Sequence, residues 1–70
     1  MPDQNEWEAK AANTLKAALK LRGVTYADLA DRIGEKEVNI RNKLSRGKFS
    51  AAFLFQALDA ISMSRIELTD

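Results

Sequence analysis

Apolar side chains recur along this chain in blocks at helical spacing, and no stretch alternates apolar and polar long enough to make a strand. The three glycines, Gly23, Gly34 and Gly47, fall between the blocks, where a residue tolerant of positive φ commonly stops a helix. In the first block, Glu6 to Arg22, one stripe holds Trp7, Ala11, Leu15, Ala18, Leu19 and the aliphatic stem of Arg22, and Lys10, Lys16 and Lys20 lie away from it. Asn5 is expected to cap this helix, and Glu8 three residues on completes a capping-box pattern. Trp7 is expected to be a core or dimer-contact aromatic. The only proline is Pro2, so nothing forbids helix from Asn5 onward.

The second block, Tyr26 to Ile33, has Thr25 as its cap, Asp28 at the third helical position, and Val24 placed to staple against Leu29. Leu29, Ala30 and Ile33 are expected to face inward. The third block, about Lys36 to Arg46, has only Ile40 and Leu44 strongly apolar on one face. So narrow a strip predicts a helix that touches the core along one edge and leaves most of itself exposed. The fourth, Ala51 to Ile61, begins after a Ser50 cap and is apolar nearly all round, which predicts a helix central to the core or shared with another chain. Ser64 and Glu67 then predict one short capped turn carrying Ile66 and Leu68.

These elements predict an all-α fold of four to five short helices in a single domain spanning residues 1–70, with 1–5 as a flexible tail. A chain of 70 residues buries only about 60% of the surface that its unfolded form exposes, so the margin of stability is thin. Cysteine and histidine are both absent. Disulfides, a structural zinc site and the commonest general base are thereby excluded, and helix packing must supply the core. Asp28 and Asp31, three apart on one short helix, suit capping and solubility better than acid–base chemistry, and no glycine-rich phosphate loop is present. The expectation is therefore no enzyme and no cofactor. The N-terminal residues are acidic and polar, unlike a signal peptide, and no window is apolar enough to span a membrane. A cytoplasmic protein is expected, nucleoid-associated when bound to DNA.

Net charge is only +1, but its distribution is uneven. Between Glu8 and Asp28 every charge is positive (Lys10, Lys16, Lys20, Arg22), and so is every charge between Glu37 and Asp59 (Arg41, Lys43, Arg46, Lys48). Two cationic segments on a near-neutral chain suggest one basic and one acidic face. Within Thr25 to Gly47, a short capped helix, a glycine turn and a second helix rich in Arg, Lys and Asn follow one another. A helix-turn-helix explains these residue types. Ala30 is small where two helices cross, Gly34 frees the turn, and Ile40 anchors the second helix. At about 100° per residue, the face opposite Ile40 and Leu44 centres near Asn42, with Val38, Asn39, Ser45 and Arg46 around it.

Three fragments, T-x-x-x-L-A-x-x-I-G from Thr25, I-x-x-x-L-x-R-G-K from Ile40 and L-x-x-I-S-M-S-x-x-E-L from Leu58, occur in that order. Together they resemble the lambda-repressor-like, Cro/C1-type helix-turn-helix domains of phage and bacterial regulators, over about Thr25 to Leu68. The stretch NIRNKLSRGKFSAAF is similar to a small bacterial branch of that family. The resemblance implies a transcriptional regulator, repressor-like, that binds double-stranded DNA and reads the major groove with the helix at about 36–46. Three positions depart from the pattern: Glu35 follows the turn glycine, where an apolar residue is usual. Lys36 replaces the usual Ser or Thr cap, and Leu44 lies one position later than the common spacing, with Lys43 in the expected apolar place. All three bear on where the reading helix starts.

The resemblance carries base-reading roles onto Val38, Arg41 and Asn42. Asn pairs with adenine and Arg with guanine through two hydrogen bonds each, and an exposed Val suits a thymine methyl. Arg41, Lys43, Arg46 and Lys48 are equally suited to phosphates, which position a protein without reading sequence. Lys36 and Glu37 lie where the helix begins; Glu37 can accept from cytosine or cap the amides beside Lys36. Tyr26 resembles the family residue that touches the DNA backbone, and a buried ring is the other reading. The same fold also serves as an antitoxin or protein-interaction module, with a protein as partner. A homodimer is expected, with helix 51–61 as its surface and Phe53 or Phe55 outward, because paired half-sites double a small DNA interface.

Overall fold

A computed structural model describes residues 4–65. Four helices make up the fold: α1 (Gln4–Arg22), α2 (Tyr26–Ile33), α3 (Glu37–Arg46) and α4 (Ala51–Ala60), with no strand among the described residues. α1 packs on α3 and α4, and α2 packs on the same two. One core results. Its fully buried large side chains are Leu15 from α1, Leu29 from α2, and Ile40 and Leu44 from α3. Leu19, Val24, Phe53, Leu58 and Ile61 join them with Ala18, Ala30 and Ala57, and Ile33, Phe49 and Leu54 pack at the edge. Burying each such side chain contributes about 1.5–3 kcal/mol.

The helix ends follow local chemistry. At α2, the Thr25 hydroxyl accepts from the Asp28 amide at 3.1 Å while the Asp28 carboxylate accepts from the Thr25 amide at 3.4 Å. This reciprocal box satisfies two donors that a helix start otherwise leaves unpaired. Ser50 caps α4 the same way, accepting from the Phe53 amide at 3.0 Å. Gly34 and Gly47 end α2 and α3 with φ of 70° and 67°. Gly47 is doubly constrained: a Cβ there would collide with the carbonyl group and Cβ of Glu8 on α1. Open space surrounds the corresponding position at Gly34.

The expected helices are present, with corrections at their edges. α1 begins at Gln4, so Asn5 lies inside the helix instead of capping it, and residues 4 and 5 are not part of a tail. The face that α1 buries is centred on Leu15, with Ala12, Ala18 and Leu19. Trp7 falls about 80° to one side of Leu15 at 100° per residue, and is 54% exposed rather than in the core. Arg22 does not lend its stem to a buried stripe. It is exposed, and its guanidinium donates to the Ser62 carbonyl at 3.2 Å. Arg32 likewise donates to the Ala60 carbonyl at 3.1 Å. The two arginines thus serve carbonyls at the C-terminal end of α4, where a helix dipole favours cations. Lys36 is the residue before α3 and not its first, and Ile61 is the residue after α4. Of the two rings expected as outward candidates, Phe53 is buried, because the core takes that side of α4, and Phe55 is exposed. The expected turn carrying Ile66 and Leu68 lies outside the described residues.

Two alanine substitutions separate backbone strain from collision. A non-glycine residue in the left-handed region costs roughly 1–2 kcal/mol, and overpacking typically adds about 1–3 kcal/mol. In a domain of this size, about 1 kcal/mol lowers Tm by roughly 4–8 °C. Thermal unfolding followed by circular dichroism is expected to place Gly34→Ala one such step below the parent and Gly47→Ala at least twice as far. Equal shifts would mean that the approach to Glu8 carries no cost.

Candidate nucleic-acid interface

α2 and α3 are joined by residues 34–36 only, and α3 rests on the core through Ile40 and Leu44, both fully buried. The rest of α3 is exposed, except Lys43, which is half-buried. Val38, at 50% exposure, Asn42, Ser45 and Arg46 form an outward ridge opposite the two anchors. Lys36 before the helix and Lys48 after it are also exposed. Among the described residues the ammonium groups of Lys36 and Lys48 and the guanidinium of Arg46 make no ion pair.

The flanks of this ridge are organised by two acids. Glu37 Oε2 accepts from Arg41 Nη2 at 2.6 Å, one turn apart on the exposed surface. Glu35, in the turn, accepts from Asn39 Nδ2 at 2.9 Å, from the Lys36 amide at 3.4 Å and from Lys43 Nζ at 3.5 Å. Lys43 Nζ also stands 4.4 Å from the centre of the Phe53 ring, which in turn meets Phe49 with ring centres 5.4 Å apart. A cation over an aromatic face is attracted by the ring quadrupole. Lys43 therefore ties the turn, α3 and α4 together.

The site residues expected from sequence thus separate into groups. Val38, Asn42, Ser45 and Arg46 share the ridge, with Lys36 and Lys48 at its two ends. Arg41 and Asn39 flank it, each already bonded to an acid. Lys43 turns toward Glu35 and Phe53. Glu37 holds Arg41, and the acid that accepts from the Lys36 amide is Glu35. Tyr26 is half-buried, its ring packed against the core. The role of Glu35 was missed: it lies in the turn before α3, outside the helical spacing that makes Glu37 and Arg41 a legible pair.

Hydrogen bonds from Asn39 and the Lys36 amide, aided by the nearby charge of Lys43, hold the Glu35 carboxyl below its ordinary value of 4.5, against a smaller desolvation effect. A carboxyl with a depressed folded-state pKa contributes stability that is fully present above its unfolded value. That contribution fades as pH falls through the folded one.

The architecture defines a class: a small all-helical domain whose third helix is presented by two anchors across a three-residue turn. The chain belongs to the DUF6471 family, a domain of unknown function, whose model matches residues 7–66. No curated protein and no solved structure matches it significantly.

The acid-limb behaviour follows from Glu35. Melting curves of the parent and Glu35→Gln, compared from pH 6 downward, should converge as pH drops below about 4.5, because the substituted chain has no carboxylate to protonate there. Parallel curves through that range would show that the Glu35 bonds contribute nothing to folding.

Proposed function

We propose that this protein binds double-stranded DNA sequence-specifically as a repressor-like transcriptional regulator, with α3 in the major groove. The observation that carries the reading is the exposed ridge Val38–Asn42–Ser45–Arg46, free of acids and opposite the buried anchors Ile40 and Leu44. A groove about 12 Å wide admits such a helix. Asn42 at the centre of the ridge offers a donor and an acceptor to adenine, and Val38 an apolar surface to a thymine methyl. Lys36, Arg46 and Lys48 supply phosphate contacts that position the helix without reading sequence. The resemblance to Cro/C1-type domains supports the same reading.

The regulator is read as a homodimer through α4. Phe55, at 64% exposure, borders a hollow of about 330 Å³ lined by Leu58, Asp59, Met63, Ser64 and Arg65. One acid and one base on the same rim make the patch self-complementary, as a two-fold interface requires. With Phe53 buried, the proposed dimer surface centres on Phe55.

Selection from a random duplex pool at physiological salt tests the function: an enriched palindromic motif is the expected result. Three unpaired cations predict a slope of log affinity on log salt of about −3 per subunit. Asn42→Ala should lose roughly tenfold or more of the preference for the selected site, since a bidentate base contact is worth about 1–3 kcal/mol of discrimination. No retention on DNA or heparin at low salt would overturn the reading in favour of a module that binds only protein, an antitoxin among them. Sedimentation at micromolar concentration should give a dimer for the parent and a monomer for Phe55→Ser. A monomeric parent that binds DNA would remove the dimer and leave the DNA reading standing.

A further inference from the structure

We infer that Glu37 is a specificity-determining residue that acts through Arg41, and this rests on the DNA-binding reading above. On α3, Arg41 and Asn39 are the immediate neighbours of Ile40. They therefore lie about 100° to either side of the buried anchor and flank the outward ridge. Both are already bonded to an acid, Arg41 to Glu37 at 2.6 Å and Asn39 to Glu35 at 2.9 Å. The ridge residues between them are not.

An unrestrained arginine on a DNA-facing helix reaches phosphates as readily as bases, because the phosphate field is everywhere along the duplex. Arg41 is not unrestrained. A guanidinium has five N–H donors in a rigid planar fork. The Glu37 bond engages one Nη group and limits where the fork swings, leaving other N–H donors for a second acceptor. Guanine presents two such acceptors, O6 and N7, on one edge in the major groove. Glu37 also places a negative charge where a phosphate would have to approach Arg41. The pair is thus worth little to a phosphate and more to a guanine edge. It is 59% and 45% exposed on its two side chains, so its worth to stability alone is small. That leaves orientation as its main effect.

The discriminating measurement is a ratio. Let the duplex enriched by selection and a random-sequence duplex of equal length be titrated with the parent, Glu37→Gln, Arg41→Ala and the double variant. Plain repulsion between Glu37 and DNA acts on both duplexes alike and cancels in the ratio of affinities. Positioning of Arg41 does not cancel.

Glu37→Gln is expected to tighten binding to the random duplex several-fold while lowering the ratio roughly two- to fivefold. Selection repeated with this variant should show one guanine position of the motif becoming degenerate. In the Arg41→Ala background, adding Glu37→Gln should leave the ratio unchanged. Melting temperatures within a few degrees of the parent confirm that each variant is folded. A ratio unchanged by Glu37→Gln in the presence of Arg41, or an equal drop in its absence, would overturn the inference while leaving DNA binding intact. A parent that binds neither duplex overturns the underlying reading instead, and this inference with it.

Discussion

Two side chains carry the presentation of α3. Ile40 and Leu44, four apart and fully enclosed, are its only buried residues, so the helix touches the core along a strip one residue wide. Everything proposed for the outer surface depends on that economy. A third buried residue on α3 would rotate or tilt the helix inward and shorten the exposed ridge. Losing either anchor would leave the helix with too little apolar surface to stay docked, at a cost of about 2–5 kcal/mol in a chain of thin margin. The half-buried Lys43 adds a polar tether on one flank, reaching both the turn and the Phe53 ring.

Much of this arrangement was legible in the residues. The three glycines marked helix ends correctly because each occupies the left-handed region, a conformation that few other residues adopt cheaply. Thr25 and Ser50 announced their helices through side-chain oxygens, each accepting from the amide three residues further along. Ile40 and Leu44 were readable because so few apolar residues competed with them on that segment. α1 was harder. Its alanines and leucines spread over a broad arc, and the stripe through Trp7 shares Leu15, Ala18 and Leu19 with the buried face, differing from it only at the edges. Only the placement of α3 and α4 decides which side is covered. Phe53 and Phe55 posed the same ambiguity on α4, where composition is apolar all round and the partners alone choose the inner face.

The candidate site was legible as a set of residue types and not as a pattern of bonds. Glu35 follows the turn glycine where the resemblance leads one to expect an apolar residue, and Lys43 occupies another such place. In the folded chain these two departures face each other across 3.5 Å. A polar pair thus stands at two positions that the Cro/C1-type resemblance leads one to expect apolar, with the ammonium 4.4 Å from the centre of an aromatic ring. Arg41 and Asn39 were likewise identified by type, while of the acids bonded to them Glu37 was read as a base contact or cap and Glu35 only as a departure from the expected pattern.

The close approach of Gly47 to Glu8 joins points 39 residues apart in the chain. Ten-residue helices are marginal on their own in water, and here the far end of α3 is located by the opening turns of α1. A synthetic peptide copying α3 would therefore be expected to lack both its helicity and its pose. The surface belongs to the closed chain, so grafting it onto another scaffold means reproducing a glycine pressed against a foreign backbone as well as the side chains that point outward.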